Sequence, residues 1–329
     1  MSVVSRWDHW DPTRNRRRAL GGTVLFAVLA IVFANSISLF TLAQLSVLTS
    51  LLSFVALAQS WNILAGFAGQ VSLGTSAFVG SGAYAAGLLM LHTDVGFGPA
   101  MAGATATGVV LAAVLALPLL RLRGDYFAVG TLAAALALQA WIINWDFAGG
   151  STGISLPLSA APTPVVVFQL SCLVAAVAMI AACLIRYSSF GNRLRAVRDN
   201  EAAAVGLGVS AFRHRLAALV ISGGLAGLAG GLLAVQQISF EPTGMLGMGW
   251  TVNALVMTIV GGIGTVFGPA VGAIIVYYLL TEKLQDYETL SIVIEGALLV
   301  LVVRFAPQGV WALMVRGLRF LVGRLRPTS

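Results

Sequence analysis

The sequence predicts an all-α polytopic membrane protein with about eight to ten transmembrane helices, some of them broken by glycine-rich segments. First, 58% of its 329 residues are hydrophobic and only 9% are charged, whereas soluble domains are about 25% charged. Second, the mean hydropathy is +0.93. Third, apolar runs recur from Ala19 almost to Phe305, and many approach the roughly 20 residues that a membrane span needs. Residues 19–305 are therefore predicted to form one membrane domain, without a separate soluble domain.

Each span is predicted from an apolar run that ends at charges, glycine or proline. In chain order the runs are 19–37, 40–64, a glycine-rich stretch that continues to about 91, 99–120, 126–143, 165–185, 216–238, 250–280 and 290–305. The run 250–280 is interrupted by glycines, and each half is only about 15 residues, or about 22 Å, long. This segment is therefore expected either to cross the membrane twice or to dip in and return.

The distribution of charge predicts the orientation. A net charge of +7 would suit a nucleic-acid partner, but the arginines cluster in short loops and at both ends, without a basic stripe on a soluble fold. The positive-inside rule places the basic ends 1–18 and 306–329 and the loop 186–215 in the cytoplasm. A cleaved signal peptide is the alternative for the first run, but no small-residue cleavage site follows, so a retained helix is predicted. The predicted partner is the lipid bilayer and not nucleic acid.

Two glycine-rich runs, 65–82 and 261–269, interrupt the predicted spans. Irregular backbone at membrane depth survives only where protein or a water-filled path surrounds it, and in transporters such interruptions point to the translocation site. The gating glycines are expected to be Gly66, Gly69, Gly74, Gly261, Gly262, Gly264 and Gly268. The two runs resemble each other weakly, with different spacings, so an internal duplication into two halves stays open.

Polar side chains beside these runs are candidates for a solute path. Gln59 and Asn62 share a helix face because they are three residues apart. The full set of candidates is Gln59, Asn62, Gln70, Ser72, Thr75, Ser76, Tyr84 and Asn253. The alternative for each residue is helix packing, since Ser, Thr and Asn side chains bond neighbouring helices inside membranes.

The loop 186–215 is predicted to fold as two short helices. Ser188 or Ser189 caps the first helix, and Asp199 or Asn200 caps the second. The apolar face of the first helix consists of Phe190, Leu194 and Val197, and its arginines, which are expected to face water or lipid phosphates, are Arg193, Arg195 and Arg198. In the second helix, Glu201 suits the helix dipole, and Gly206 or Gly208 ends the helix. The alternative is a solvated connector with no further role.

The titratable residues within the spans predict neither a catalytic site nor a metal site, and so not an enzyme. Glu295 lies within the last span, where a charge costs about 2.5–3.5 kcal/mol. A structural or dimer-interface role is favoured over a proton relay, because no second acid or buried base accompanies it. Cys172 and Cys183 would lie about 16 Å apart along one helix, too far for a disulfide.

Six motifs occur in an order that is typical of one known family. They are Trp61–Gly74 (WNILAGFAGQVSLG), Arg123–Leu132 (RGDYFAVGTL), Gly149–Gly153 (GGSTG), Gly191–Ala203 (GNRLRAVRDNEAA), Val260–Pro269 (VGGIGTVFGP) and Phe305–Gly309 (FAPQG). Together they resemble the permeases of ABC importers of the branched-chain amino-acid type, most closely the LivM-type subunits. The resemblance covers nearly all of residues 50–311. One departure is that Thr75 and Ser76 stand where many relatives have His and Ala.

The resemblance implies a set of partners in the bacterial inner membrane. They are a second, LivH-like permease subunit that is expected to form a heterodimer with this chain, two cytoplasmic ABC ATPase subunits and an extracytoplasmic solute-binding protein. The chain has no phosphate-binding Gly-x4-Gly-Lys-Ser/Thr loop, so ATP and Mg are expected to be used by the partner ATPases, with no cofactor bound by this chain. The residues that the resemblance assigns to ATPase coupling are Arg195, Arg198, Asp199, Asn200, Glu201, Ala202, Ala203, Gly206 and Gly208.

The implied activity is alternating access driven by ATP hydrolysis in the partner subunits. Leucine, isoleucine and valine are the default solutes of the family, and urea, short amides and other amino acids are alternatives. A different class, an ion-coupled secondary transporter, would need acids within the membrane, for which Glu295 is the sole candidate in the sequence.

Overall fold

The computed structural model describes residues 12–36, 40–93, 95–156, 162–278 and 309–324, together with a few single positions between 294 and 304. The helices of the first part are α1 (Pro12–Asn35), α2 (Leu42–Trp61), a π-helical turn (Asn62–Phe67), α3 (Thr75–His92), α4 (Phe97–Leu119), α5 (Asp125–Ile143) and α6 (Pro164–Tyr187). Those of the second part are α7 (Ser189–Asp199), α8 (Glu201–Gly206), α9 (Ala211–Gln237), α10 (Pro242–Met245), α11 (Gly249–Gly261), α12 (Gly268–Val276) and α13 (Gly309–Arg324).

Within these described residues, six helical stretches are long and apolar enough to cross a membrane. They are Leu42–Phe67, Phe97–Leu119, Asp125–Ile143, Pro164–Tyr187, Ala211–Gln237 and Pro242–Gly261. The apolar part of α1, Leu20–Asn35, is shorter. The predicted all-α polytopic membrane fold is confirmed. The helix count of eight to ten stays a prediction, because most of residues 279–308 lie outside the described part.

The segment 250–280 has the predicted interruption. Helices α11 and α12 pack against each other on either side of the glycine run. The α11 side gains length from α10, since Pro242–Gly261 is long enough to span. The continuation of α12 beyond residue 278 is not described, so whether this segment crosses twice or re-enters stays a prediction.

Helix α9 lies at the centre of the protein and packs extensively against α3 and α4. Its glycines allow this, because they bring backbones into contact. A Cβ on Gly82 of α3 would lie 2.1 Å from the carbonyl oxygen of Gly227, and one on Gly108 of α4 would lie 2.3 Å from that of Gly223. Three helices therefore meet backbone to backbone, whereas α5 lies at the periphery and exposes large apolar side chains such as Tyr126 and Trp141.

A short antiparallel ladder joins two loops at the end of the bundle opposite α7 and α8. Strand β1 (Ile154–Ser155) pairs with β2 (Ser239–Phe240), with Ile154 opposite Phe240. The hydroxyls of Ser155 and Ser239 lie 2.8 Å apart. The glycine turn at 149–153 precedes β1 and contains a short 3₁₀ turn, Gly150–Thr152, that follows another at Asp146–Ala148, so it orders a loop that is tied to the end of α9.

Candidate functional site

The two glycine-rich breaks contact each other in the interior of the protein. Helix α2 continues into the π-helical turn Asn62–Phe67, a wider turn that is frequent at functional sites. Gly66 in this turn lies against the second break, since a Cβ on it would be 2.6 Å from the backbone nitrogen of Gly264. Backbones come this close only where a side chain is missing. The structure thus joins the two runs that the sequence singled out, while their role in gating stays a prediction.

Two fully buried amides hold this contact. The Asn62 Nδ2 donates to the carbonyl oxygen of Thr265 at 2.8 Å, and its Oδ1 accepts from the backbone nitrogen of Gly264 at 2.8 Å. Gln59 donates from Nε2 to the carbonyl oxygen of Val266. Both side chains have 0% exposure. These bonds supply partners for backbone groups that leave the helical pattern, so Gln59 and Asn62 connect residues about 200 positions apart in the chain.

The other predicted path residues lie at several places around this contact. Ser72, Thr75 and Ser76 are buried at the start of α3, where the Ser76 backbone nitrogen donates to Thr251 Oγ1 at 2.9 Å. Tyr84 lies one helix stretch further along α3, edge-on to the ring of Phe240 with centroids 5.4 Å apart. Gln70 is buried after the π-helical turn, and Asn253 is half-buried in α11. Whether any of them lines a solute path stays a prediction.

The glycines of both breaks are required by close approaches. Gly69 has φ +71°, and a Cβ there would lie 2.2 Å from Cγ of Arg198. A Cβ on Gly74 would lie 2.2 Å from the carbonyl oxygen of Thr131, and one on Gly261 would lie 1.8 Å from that of Gly268. Gly262 has φ +126°, which L side chains rarely adopt. Gly66, Gly74, Gly261 and Gly268 therefore pack against backbone that leaves no space for a Cβ. Gly69 lies on the Arg198 side chain, and Gly262 and Gly264 have positive φ angles.

The two predicted helices of the loop are present, with serine and asparagine caps. Ser188 Oγ accepts from the backbone nitrogen of Gly191 at 3.1 Å, and Asn200 Oδ1 accepts from that of Ala203 at 3.0 Å. Leu194 and Val197 are buried as the predicted apolar face requires. Asp199 is the last residue of α7, and Asn200 alone caps α8. The helix α8 ends at Gly206, and Gly208 follows in a left-handed conformation with φ +83°.

Arg198 is exposed as expected, but it also bonds within the chain, which was not expected. Its Nη1 donates to the carbonyl oxygen of Gly66 at 2.6 Å, and its aliphatic stem lies on Gly69. Carbonyls in the last turn of a helix lack a helical donor, so the guanidinium supplies one there. Arg198 also pairs with Asp199 at 2.8 Å near the surface. Helix α7 is thus bonded directly to the first glycine break.

Two other charged residues of the loop also bond within the chain. Arg195 donates from Nη2 to the carbonyl oxygen of Arg186 at 3.2 Å, and so braces the corner between α6 and α7. Glu201 pairs with Arg215 at 2.9 Å and so joins α8 to the start of α9. Arg193 and Arg198 are exposed as expected, whereas Arg195 is half-buried. The two short helices are therefore fastened to the membrane helices and to each other.

Sequence analysis named Ala202 and Ala203 for ATPase coupling but missed the large apolar residues beside them, which complete an exposed apolar tip. Leu207 is 86% exposed, Val205 is exposed beside it, and the surfaces of Ala202 and Ala203 adjoin them. Together these four residues form what we call the α8 tip. Exposed apolar patches rimmed by polar residues mark interaction sites. The signal was present in the sequence, since large apolar residues stand among the charges of a polar loop.

Sequence analysis did not predict the bonds that four hydroxyls make to backbone groups of other segments. Thr131 and Thr251 accept from the backbone nitrogens of Leu73 and Ser76 at 3.0 and 2.9 Å. Ser222 and Thr258 donate to the carbonyls of Ser60 and Ala58 at 2.7 and 2.9 Å. These bonds fix both ends of the first break on α5, α9 and α11. No local pattern distinguishes these hydroxyls from the many others in the spans.

Part of the predicted site lies outside the described residues. Glu295 is among these, and so is most of the end motif 305–309. Gly309, which is described, packs on the second break, because a Cβ there would lie 2.3 Å from Cα of Gly262. Among the described residues, no group of His, Cys, Asp or Glu is arranged to hold a metal ion. Cys172 and Cys183 are both buried and unbridged.

The fold is that of a multi-pass membrane protein, since it contains several apolar spans. Its two glycine-broken segments meet in the interior, and a pair of surface helices is bonded to them, which is the architecture of a transport permease. A family model described as branched-chain amino acid transport system / permease component matches residues 41–303. The chain therefore belongs to this family of permeases.

Individual relatives agree with this assignment. The chain is 27% identical to the high-affinity branched-chain amino acid transport system permease protein LivM of Escherichia coli, over 87% of this chain and 73% of the relative. It is 30% identical to the probable branched-chain amino acid transport permease protein LivH of Methanocaldococcus jannaschii, over 39% and 42%. A 35% match to the autoinducer 2 import system permease protein LsrC of Salmonella paratyphi B covers 32% and 30%. No solved structure matches the chain.

Proposed function

We propose that this chain is one membrane subunit of an ATP-driven importer for branched-chain amino acids, and that α7 and α8 transmit motion from partner ATPases to the glycine breaks. The observation that carries this proposal is the bond from Arg198 to the carbonyl of Gly66. A displacement of α7 is applied through it to the π-helical turn, and from there through Asn62 to the second break. Access to the solute path then changes at the breaks.

The proposed partners follow from the family and from the α8 tip. The chain pairs with a LivH-like subunit in the bacterial inner membrane, with both termini in the cytoplasm. Two ATPase subunits use ATP and Mg, and this chain binds neither. The α8 tip docks into an apolar groove of one ATPase, since an exposed leucine at the end of a short, capped helix is suited to such a groove. An extracytoplasmic binding protein delivers the solute.

The solute proposed first is leucine, isoleucine or valine. Urea, short amides and other amino acids are the alternatives that remain in the same architecture, because the external binding protein supplies selectivity. The local similarity to a permease named for autoinducer 2 import supports keeping the solute class open. Uptake of labelled leucine into vesicles, with valine, isoleucine, urea and acetamide as competitors, distinguishes them. If urea or acetamide competes with leucine while valine and isoleucine do not, the first choice of solute is wrong.

Copurification tests the coupling proposal. The chain is purified gently from native membranes beside Leu207→Asp and the matched variant Leu207→Met, and the accompanying proteins are identified by mass spectrometry. Because an aspartate at an 86% exposed position harms only a contact with another protein, the ATPase is expected to be lost with Leu207→Asp and kept with Leu207→Met. A second permease should accompany all three. Retention of the ATPase by Leu207→Asp, or its absence from the wild type, contradicts the proposal.

A further inference from the structure

A polar cavity lies between the first glycine break and helix α8. Its volume is about 110 Å³, and its walls include Gln70, Leu122, Arg123, Phe127, Glu201 and Arg215. The residues come from three places: the end of the π-helical turn with its following loop, the loop between α4 and α5 with the start of α5, and the α8–α9 segment. The Glu201 side chain is 38% exposed, so solvent reaches the cavity.

Two buried polar atoms in the walls of this cavity have no bond to the described part of the chain. Gln70 is only 8% exposed, and its Oε1 has no hydrogen-bond partner there. The Nε of Arg215 is likewise buried and without a partner, although its Nη2 pairs with Glu201. A buried polar group without a partner costs about 1–3 kcal/mol. An acceptor and a charged donor therefore line a space that is large enough to hold a molecule that satisfies both.

The charges of the cavity favour one class of occupant. Arg123 and Arg215 present guanidinium groups, which bind carboxylates through paired N–H donors. Gln70 and Glu201 present oxygens, which suit an ammonium group. A phosphate ion would satisfy the arginines, but its charge would lie against the Glu201 carboxylate. Leu122 and Phe127 add apolar surface beside these charges, which an inorganic ion does not use.

We infer that this cavity binds the α-carboxylate and α-ammonium groups of a free amino acid, on the side of the protein that carries α7 and α8. The carboxylate lies between Arg123 and Arg215, the ammonium faces Gln70, and an apolar side chain lies toward Leu122 and Phe127. The bound molecule bridges the first glycine break and α8, so it holds together the two parts through which motion is proposed to pass. This inference rests on the proposed function for the identity of the amino acid, while the cavity itself does not depend on it.

A photoreactive leucine that carries a diazirine in its side chain and keeps both backbone charges tests the site. The full chain, with the subunits that copurify, is placed in lipid nanodiscs without the external binding protein, irradiated and digested. Labelled peptides are expected to contain residues 122–127. Excess leucine should remove the label, whereas 4-methylpentanoate, 3-methylbutylamine and inorganic phosphate, which each lack part of the zwitterion, should not.

Variants locate the contact and provide the control. Arg123→Gln and Gln70→Met each remove one polar partner and are expected to lower labelling about tenfold, the loss of one charge-assisted hydrogen bond. Arg121→Gln changes the same loop outside the cavity walls and should label like the wild type. Unchanged labelling in both cavity variants, labelling only elsewhere, or competition by phosphate as strong as by leucine would overturn the inference.

Leucine uptake by the wild-type complex, measured in parallel, separates this inference from the proposed function. Uptake without labelling at residues 122–127 means that the cavity site is wrong and the transport proposal stands. Labelling that is lost in the cavity variants, in a complex that does not take up leucine, means that the site binds the zwitterion and the proposed transport function is wrong.

Discussion

Replacing Arg198 by glutamine tests the mechanical link most directly. The substitution removes the bond to the Gly66 carbonyl, whose donor–acceptor distance is 2.6 Å. A hydrogen bond from a charged group contributes about 1.5–3 kcal/mol. The Arg198 side chain is 35% exposed, so water replaces part of the bond, and about 1–2 kcal/mol is the reasonable magnitude. The neighbouring ion pair with Asp199 contributes little, because both partners are open to solvent.

The expected result is a loss of coupling and not of folding. A free energy of about 1–2 kcal/mol between two sites corresponds to a change of roughly 5–30-fold in their coupling. In proteoliposomes with the partner subunits and the external binding protein, Arg198→Gln should retain ATP hydrolysis while leucine transported per ATP falls by about that factor. The assay measures labelled leucine uptake and phosphate release in the same sample, so the ratio does not depend on the amount of protein reconstituted.

The matched control is Arg193→Gln, which removes the same charge from the exposed face of the same helix. It should leave the ratio of transport to hydrolysis unchanged. If Arg198→Gln keeps the wild-type ratio, or if both variants lose it equally, the bond to Gly66 does not transmit motion. A fall in hydrolysis and uptake together, with the ratio intact, would likewise refute the reasoning and point to a docking defect.

Three further predictions concern stability, each read as the melting temperature of the purified protein. Asn62→Leu leaves two backbone groups of the second break without their 2.8 Å hydrogen bonds and should lower stability by about 2–4 kcal/mol. The control Asn253→Leu, at a half-buried position without such bonds, should lower stability by less than about 1 kcal/mol. Equal losses would mean that the Asn62 bonds do not hold the two breaks together. Gly230→Ala places a Cβ 2.0 Å from a carbonyl oxygen of α3 and should lower stability by about 1–3 kcal/mol or more. The control Gly249→Ala meets open space and should leave stability nearly unchanged. Unchanged stability in both variants would mean that α3 and α9 separate easily. Glu201→Gln breaks a partly exposed ion pair and should change stability by less than about 1 kcal/mol, so a large drop would show that the pair is more buried than its exposure indicates.

Local patterns predicted the spans and the surface helices well. The apolar runs 99–120 and 126–143 correspond to α4 and α5 within two residues at each end, because helix length in a membrane is determined by the run itself. The caps at Ser188 and Asn200 were predicted for the same reason, since a cap depends on residues three positions apart. The π-helical continuation of α2 was not predicted, because its cause lies in the other half of the chain.

Long-range pairings could not be predicted from the sequence. The polar cluster around Gln59 and Asn62 was found, but its partners lie about 200 positions away, on backbone groups that carry no sequence signal of their own. Arg198 was predicted to face solvent, as a charged residue on an amphipathic helix normally does, and it is exposed, but its bond to the Gly66 carbonyl was not predicted. Because Gly66 and Gly69 have no side chains, the Arg198 side chain can approach the backbone closely, and its guanidinium reaches the Gly66 carbonyl.

The backbone contacts among α3, α4 and α9 restrict where this permease can move. Gly82, Gly108 and Gly227 bring the backbones of the three helices into contact. No side chain lies between them that could change rotamer and so accommodate a different distance between the helices. Sliding any one of the three past the others would drive carbonyl oxygens into Cα atoms. The three helices therefore travel as a single block, and a change of shape is left to the segments around it, where helices are interrupted and hydrogen bonds can be exchanged. This block thus includes α9, which has five glycines, more than any other described helix, although glycine there would ordinarily be taken as a sign of flexibility.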